Sequence, residues 1–351
     1  MDMKMKSIAF VIAYFGQLRN DFDLWLYSCA KNPTIDWILF TDCQLRNVPC
    51  NVKVNYTTFD LFRERIQQLF DFTISLRSPR KLCDFKVVYG ELLEENELNG
   101  YDFWGYCDLD QIWGDVRTFL SESLLDCYDK IGFTGNCTLY RNNKENNRRY
   151  RLENSIGTVL YKTYFSSSEH YCFDEVGIND IYLHLGIPFY REVNNSNLAA
   201  YRHNFATCFL PQCDKKRNKH VVYLWKDGHL FHISVEGNTL MRKEIMFVHF
   251  LSSRILDIQI TGRPDRFLIV PNVILPYYSL TVEFVKRKSK PYWMKYIWSQ
   301  LKRQSGFLGK LSWIKHFIAY NYWLYFHGEI YNYWTWTKYE GDKTGRMHLL
   351  S

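Results

Sequence analysis

Two carboxylates one residue apart, Asp108-Leu109-Asp110, stand directly behind the mostly apolar run Tyr101-Asp102-Phe103-Trp104-Gly105-Tyr106-Cys107. Where a strand ends and the chain turns, such a pair can share one divalent cation. Hard carboxylate oxygens suit Mn²⁺ or Mg²⁺, and a cation there can neutralise the charge of a departing diphosphate. The bare pattern is weak. With 21 Asp in 351 residues one Asp-x-Asp arises by chance, and Asp21-Phe22-Asp23 is a second copy. That copy opens a helix, where Asp is favoured as a cap and by the helix dipole. The Asp108 copy lies beyond a buried strand, where two acids are costly unless solvated or metal-bound. The metal reading therefore outweighs a solvated turn.

The elements that must position this pair follow an α/β pattern. Strands are expected at Ser7–Tyr14, Asp36–Phe40, Val52–Tyr56, Tyr101–Cys107 and Lys130–Phe133. Helices are expected at Asp21–Lys31, Asp60–Phe70, Lys81–Glu95, Thr118–Leu125 and Val176–Gly186, from the 3–4-residue spacing of apolar positions. Such alternation implies a Rossmann-like, mostly parallel sheet flanked by helices. Ligands bind such sheets beyond the carboxyl ends of the strands, which singles out Tyr14-Phe15-Gly16, Thr41-Asp42 and Asp108-Leu109-Asp110. The polar segments Arg141–Asn154 and Pro211–His220 read as surface loops, the first of them able to order over a ligand. Asp227-Gly228 predicts a hairpin across Trp225–Ser234, and Glu244–Leu251 a further apolar strand.

Composition narrows the classes. Hydrophobic residues are 47% and charged residues 23%, which excludes disorder or a small disulfide scaffold. The ten cysteines form no Cys-x-x-Cys and suit a reducing compartment. Lys4 and Lys6 before Ile8–Phe15 imitate a signal peptide, but no small-x-small cleavage pattern follows, and a buried first strand is expected. No apolar run reaches 18 residues, so no transmembrane helix is expected. The absence of GxGxxG and Walker A patterns argues against NAD-type Rossmann enzymes and P-loop NTPases. Cys208, Cys213 and His220 lack a fourth zinc ligand, and His229 and His232 do not read as a metal pair.

Thr41-Asp42, the Lys81–Gly90 segment (Lys-Leu-Cys-Asp-Phe-Lys-Val-Val-Tyr-Gly) and Tyr101–Asp110 together resemble GT-A-fold glycosyltransferases. The nearest likeness is to a bacterial family found among capsule and O-antigen genes. It spans roughly residues 6–280 and is densest over Lys81–Asp115. The resemblance implies a GT-A-like catalytic domain over residues 1–280. It also implies a nucleoside-diphosphate sugar (UDP-sugar favoured), Mn²⁺ or Mg²⁺, and transfer of a sugar to a surface-polysaccharide acceptor. In that pattern Tyr14, Thr41 and Asp42 border the nucleotide. Asp84 and Lys86 lie on a helix beneath the donor, with Lys86 meeting a phosphate or sugar hydroxyl. Asp108 and Asp110 bind metal and ribose, His249 completes the metal site, and Arg254 clamps phosphate. A satisfied core histidine explains His249 equally well, and Leu251-Ser252-Ser253 departs from the basic residues usual after this His. Asp174 or Glu175 stands near the acceptor, where an inverting transferase needs a base. A helix cap also explains that pair.

All the excess charge lies in residues 281–351, with twelve Lys or Arg against four Asp or Glu and six of the 11 Trp. Over residues 286–318 basic and apolar side chains interleave at near-helical spacing. That composition suits an anionic membrane surface, ahead of packing on the body of the protein and ahead of nucleic acid, which no recognised module supports. A cytoplasmic enzyme, peripheral on the inner face of the membrane and using a lipid-linked glycan acceptor, is the combined expectation. Its rivals are a haloacid-dehalogenase-type phosphatase with Asp108 as nucleophile, and a non-catalytic membrane-docked scaffold. Against the phosphatase, its motif usually opens the domain and is followed by Gly or Thr, whereas Gln111 follows here.

Overall fold

The computed structural model describes residues 5–191, 195–197, 206–207, 220–250, 257–271, 273–289, 298, 301–302 and 304–315. These fall into two compact units that divide after Asn194.

The first unit is built on strands β1 (Ile8–Tyr14), β2 (Ile35–Thr41), β3 (Val52–Tyr56), β4 (Phe103–Cys107), β5 (Gln111–Trp113), β6 (Lys130–Thr134) and β7 (Cys137–Arg141). Six of them form one sheet in the order β3-β2-β1-β4-β7-β6. The neighbours β3, β2, β1 and β4 are parallel, while β7 runs antiparallel to β4 and β6 to β7. The expected α/β class with a mostly parallel sheet is therefore observed. Continuous apolar runs such as Ile-Ala-Phe-Val-Ile belong in strands covered on both faces, and these five residues of β1 are all buried. Register places the site. Tyr14 pairs with Thr41, and Val11 pairs with Tyr106. The exits of β1, β2 and β4 therefore emerge along one edge, at the carboxyl ends where parallel sheets bind ligands.

Helices α1 (Phe22–Ala30) and α2 (Phe59–Gln67) cover this sheet, and Thr58 caps α2 by accepting from Leu61 N at 3.2 Å. Phe10, Trp25, Trp37 and Trp113 interlock beneath α1 with ring centroids 5.6–6.5 Å apart. Each ring removed from water contributes roughly 1.5–3 kcal/mol. In this unit the high aromatic content is largely core.

Three expectations change. Lys81–Glu95 is not one helix but a 3₁₀ turn Pro79–Lys81, an α turn Leu82–Phe85, a 3₁₀ turn Lys86–Val88 and a helix Tyr89–Leu93. Asp84 and Lys86 must both be buried yet reach different partners, and the tightened turn between them sets those directions. Gly90 then lies so close to the Trp104 ring that a Cβ would collide with it. Thr118–Leu125 is replaced by two short helices, Val116–Phe119 and Glu122–Cys127, because Asp115 and Ser121 each cap a new start. Arg141–Asn154 is not a surface loop. Asn143 caps a helix Lys144–Arg148 that runs into a 3₁₀ turn Arg149–Arg151. Asn146, Asn147, Arg149, Tyr150 and Asn154 are buried there. Asn147 Oδ1 accepts from Trp104 Nε1 at 2.7 Å and its Nδ2 donates to Asn142 Oδ1 at 3.0 Å, so at Asn147 the polar side chain serves internal hydrogen bonding rather than solvent.

The second unit contains β8 (Asn195–Asn197), β9 (Ala206–Thr207), β10 (Val221–Lys226), β11 (His229–Glu236), β12 (Thr239–Glu244), β13 (Phe247–His249), β14 (Asp257–Ile258), β15 (Arg266–Val270) and β16 (Val273–Pro276). Six of these form a sheet in the order β12-β11-β10-β15-β16-β14, antiparallel except for the β14–β16 pair. Asp227 and Gly228 both have positive φ, 52° and 90°, as the expected tight hairpin between β10 and β11 requires. The strand expected at Glu244–Leu251 divides. Glu244 closes β12, and β13 turns away to pair in parallel with β8. Residues 211–219 and 251–256, which complete the second polar loop and the divided strand, lie outside the described residues.

The basic segment begins inside this unit. Thr281 caps a helix Val282–Lys288, and Phe284 and Val285 pack into the sheet's apolar cluster with Val222, Leu268 and Val270. At least these residues pack intramolecularly. Residues 306–315 are also helical, with Phe307, Leu308 and Leu311 exposed and Trp313 and Ile314 half-buried. No helix among the described residues is long and apolar enough to cross a membrane.

His232 on β11 is buried against Tyr223, with ring centroids 5.6 Å apart, opposite Lys243. Burial and then Lys243 push its pKa down to about 4. The fold holds the neutral form, so its contribution is full above the unfolded value of about 6.5 and is lost as pH falls toward about 4. Urea unfolding of the wild type and His232→Phe, compared at about pH 7 and about pH 4.5, should show a pH-dependent loss smaller by about 2 kcal/mol in the variant. Equal pH slopes would refute this reading.

Candidate functional site

The exits of β1 and β2 are tied together. Gly16, at φ 105°, donates its N–H to Asp42 Oδ1 at 3.0 Å, and Cys43 N donates to Thr41 Oγ1 at 3.1 Å. Thr41 is fully buried. The Tyr14 hydroxyl donates to Gln17 O at 2.5 Å. Thr41 and Asp42 thus shape the edge of the sheet, as straps between its loops. Burial raises the Tyr14 pKa, with smaller contributions including one from Asp110.

The exit of β4 carries the acidic pair, Asp108 and Asp110 half-buried and Leu109 buried. The Lys86 ammonium lies behind it. Its Nζ donates to Asp108 Oδ1 at 2.6 Å and to Gly135 O at 2.8 Å, and stands 3.4 Å from Asp174 Oδ2. Burial opposes the Lys86 charge, but Asp108 and then Asp174 hold its pKa well above the ordinary value. These three partners match the three donors of an ammonium. Lys86 is therefore committed to the protein here, where the resemblance implies a ligand contact.

Asp174 comes from a π turn, Phe173–Gly177, entered through Cys172 at φ 53° and followed by helix Ile178–His184. Such widened turns often sit at functional sites. Tyr106 Oη donates to Asp174 O at 2.7 Å, and Gly135 N donates to Glu175 Oε1 at 2.7 Å. A Cβ on Gly135 would overlap the Asp174 carboxylate. Burial lifts the Asp174 pKa well above its ordinary value. Lys86 opposes that lift, and Glu175, Asp84 and Asp108 add to it. The helix-cap explanation of Asp174 and Glu175 fails for these side chains, since neither caps the turn.

Asp84 is not open to a ligand. It is fully buried, and its carboxylate accepts from Lys81 Nζ at 2.7 Å, Tyr171 N at 3.0 Å and Phe173 N at 2.9 Å. Its work is to fix the chain that enters the Asp174 turn. The Asp21 copy of the acidic pattern also differs from expectation. Asp21 stands at the start of α1, but its carboxylate makes no cap. It grips Arg19 instead, Nε to Oδ1 at 2.9 Å and Nη2 to Oδ2 at 3.0 Å. Asp110 contributes to the electrostatics of both Arg19 and Asp21. Nothing in the local pattern singled out Arg19, because only the strand register brings its loop beside Asp110.

The first unit thus gathers Asp108, Asp110, Lys86, Asp174 and Glu175 at one place, with Tyr14, Thr41 and Asp42 along the adjoining edge. His249 lies in the second unit, buried at the end of β13. Arg254, Cys208 and Cys213 lie outside the described residues. His220 Nδ1 meets Ser289 Oγ at 3.2 Å, and His229 Nδ1 meets Glu244 Oε1 at 2.7 Å.

An α/β unit with a mostly parallel sheet and an acidic pair at the carboxyl end of an inner strand is the class this geometry defines. The chain belongs to a family described as "Family of unknown function (DUF6625)", whose model matches residues 10–278. No curated protein matches the sequence. Among solved structures, it is similar to the galactosyltransferase LgtC in complex with donor and acceptor sugar analogs. That likeness has 11% identity over 70% of this chain and 87% of the other, and a TM-score of 0.35. An active-site mutant of LgtC is similar at 12% identity over the same shares, with a TM-score of 0.33. These TM-scores are too low to carry a fold assignment, which rests on the strand order itself.

Asp84→Ala should cost about 3–5 kcal/mol in urea unfolding, because it strands the buried Lys81 ammonium. Unchanged stability with a selective loss of ligand binding would reverse its assignment.

Proposed function

We propose that this protein is a metal-dependent GT-A-type glycosyltransferase that moves a sugar from a nucleoside-diphosphate sugar, UDP-sugar favoured, to a capsule or O-antigen glycan. The observation that supports this most is the placing of Asp108 and Asp110 at the exit of an inner parallel strand, with a lysine-tethered Asp174 behind them. Asp108 and Asp110 offer the hard carboxylate oxygens that would hold Mn²⁺ or Mg²⁺, and by resemblance alone a histidine, His249, would complete the set. Such an ion supplies charge neutralisation on the diphosphate leaving group.

The chain's own residues do the rest of this proposed work. Lys86 holds Asp108 and Asp174 in fixed relation. Asp174 or Glu175 takes the proton of the acceptor hydroxyl, and burial makes Asp174 a stronger base than an ordinary carboxylate. By resemblance Tyr14 and Asp42 border the nucleotide, with the buried Thr41 strapping the loop beneath it, and Arg254 meets phosphate. Catalysis belongs to residues 1–280. The phosphatase reading is weaker, since the pair follows β4 and not the opening strand.

Thermal unfolding with Mn²⁺ and a panel of nucleoside diphosphates tests the reading. At a hundred times Kd, a nucleotide should stabilise the wild type by about 2.7 kcal/mol, only with metal, and Asp110→Ala should abolish the shift. No shift at millimolar nucleotide would remove the transferase reading.

The acceptor's proposed setting is an anionic membrane on the cytoplasmic face. Trp298, Phe307, Leu308 and Leu311 are 66%, 75%, 80% and 46% exposed. Lys302, Lys310 and Lys315 lie along the same stretch. Each Lys near anionic lipid contributes about 1 kcal/mol. Binding to vesicles containing phosphatidylglycerol should exceed binding to neutral vesicles, and Phe307→Glu/Leu308→Glu should lower it by tenfold or more. Equal binding to both vesicle types would end this part of the proposal.

A further inference from the structure

We propose that Lys130 is a positioning residue of the acidic site. Paired with Asn179, it holds a bulge in β6 that sets the Gly135 turn against Asp174 and Glu175. The part these acids play in sugar transfer rests on the transferase reading, while their placing by Lys130 stands apart from it.

The bulge is plain in the strand register. Ile131 pairs with Leu139 and Thr134 with Cys137, so Gly132 and Phe133 of β6 stand opposite Thr138 alone on β7. Gly132 takes φ 103°, and a Cβ there would meet Cys137 O at 2.5 Å. A bulge takes backbone groups out of the ladder, and buried carbonyls then need other donors. Lys130 Nζ donates to Gly132 O at 2.7 Å, and Asn179 Nδ2 donates to Phe133 O at 2.7 Å. The two side chains also meet, Lys130 Nζ donating to Asn179 Oδ1 at 2.6 Å. Lys130 is fully buried, and among the described residues it pairs with no carboxylate. Phe189 lies 4.1 Å from its Nζ by ring centroid, with Tyr182 and Tyr140 further out. Burial, and then Arg191, push its pKa well below the ordinary lysine value. Its work is therefore hydrogen bonding to the bulge and to Asn179, since burying such a group among rings is otherwise unfavourable.

The acidic site begins where β6 ends. Gly135 donates its N–H to Glu175 Oε1 at 2.7 Å, its carbonyl accepts from Lys86 Nζ at 2.8 Å, and its missing Cβ leaves room for the Asp174 carboxylate. Asn179 lies on the first turn of helix Ile178–His184, which continues the π turn bearing both acids. The chain beyond that helix returns to the same strand, with Tyr190 N donating to Lys130 O at 3.0 Å and Gly132 N to Tyr190 O at 2.9 Å. Lys130 thus fixes both sides of one contact, the hairpin turn and the acidic turn. Without its donors the extra residue in β6 loses its hold, and Gly135 slips away from Glu175 and Lys86.

Two readouts on the full chain test this. Lys130→Met keeps the length of the side chain and removes its donors. Asn179→Ala breaks the other half of the clamp and serves if Lys130→Met does not fold. Ile38→Ala, which opens a cavity in β2, controls for general destabilisation. Amide hydrogen exchange at Gly135, measured against the amides of β1, should quicken by roughly tenfold or more in either clamp variant and not in the control. With Mn²⁺ and a panel of UDP-sugars, turnover should fall by roughly tenfold or more while UDP affinity changes by less than about twofold. A merely structural Lys130 would instead quicken exchange in β1 as much as at Gly135, and would lower turnover and UDP affinity together. Either that pattern or unchanged exchange at Gly135 overturns the proposal. If the wild type neither binds UDP nor turns over any UDP-sugar, the transferase reading falls, and exchange at Gly135 still decides the role of Lys130.

Discussion

One ammonium organises the acidic site of the first unit. Lys86 stands between Asp108, at the exit of an inner strand, and Asp174, on a π turn reached much later in the chain. Without it, two carboxylates would face each other with nothing between them to offset their like charges. With it, Asp108 stays anchored at one oxygen while Asp174 is held close. The broken helix through Lys81–Leu93 is a consequence of this arrangement. It turns Asp84 and Lys86 toward separate buried partners, which one regular helix did not accommodate.

Close approach of backbones makes the anchor possible. Gly135 puts its carbonyl on Lys86 and its N–H on Glu175, and has no Cβ to displace Asp174. Gly90 allows the Trp104 ring against the segment that carries Lys86, and Asn147 holds that ring by its indole N–H. Asp84 secures the backbone of Tyr171 and Phe173 from the other side. The site is thus framed by buried polar groups that are satisfied by the fold, and such networks cost most when one member is removed.

Much of the fold was legible in the chain. The apolar runs of β1, β2 and β4 read directly as buried parallel strands, and Asp227-Gly228 read as a hairpin from its backbone preference alone. Composition misleads over Arg141–Asn154, because a polar side chain looks the same in sequence whether it faces water or, like Asn147, a buried indole. The resemblance gives Asp84 and Lys86 ligand contacts. In the fold, Asp84 meets Lys81 and two backbone amides, and Lys86 meets Asp108, Gly135 and Asp174. Arg19 carried no local signal at all.

The parallel α/β plan, the ends of the inner strands and the acidic pair beyond one of them are written in the order of the residues. Those follow from the periodicity of burial and from the cost of placing charge after an apolar strand. Which charge meets which depends on the folded chain. Lys86 reaches Asp174 across 88 residues, and Asp84 reaches Phe173 across 89. Ion pairing depends on distance in space, and strand register and turn geometry set that distance.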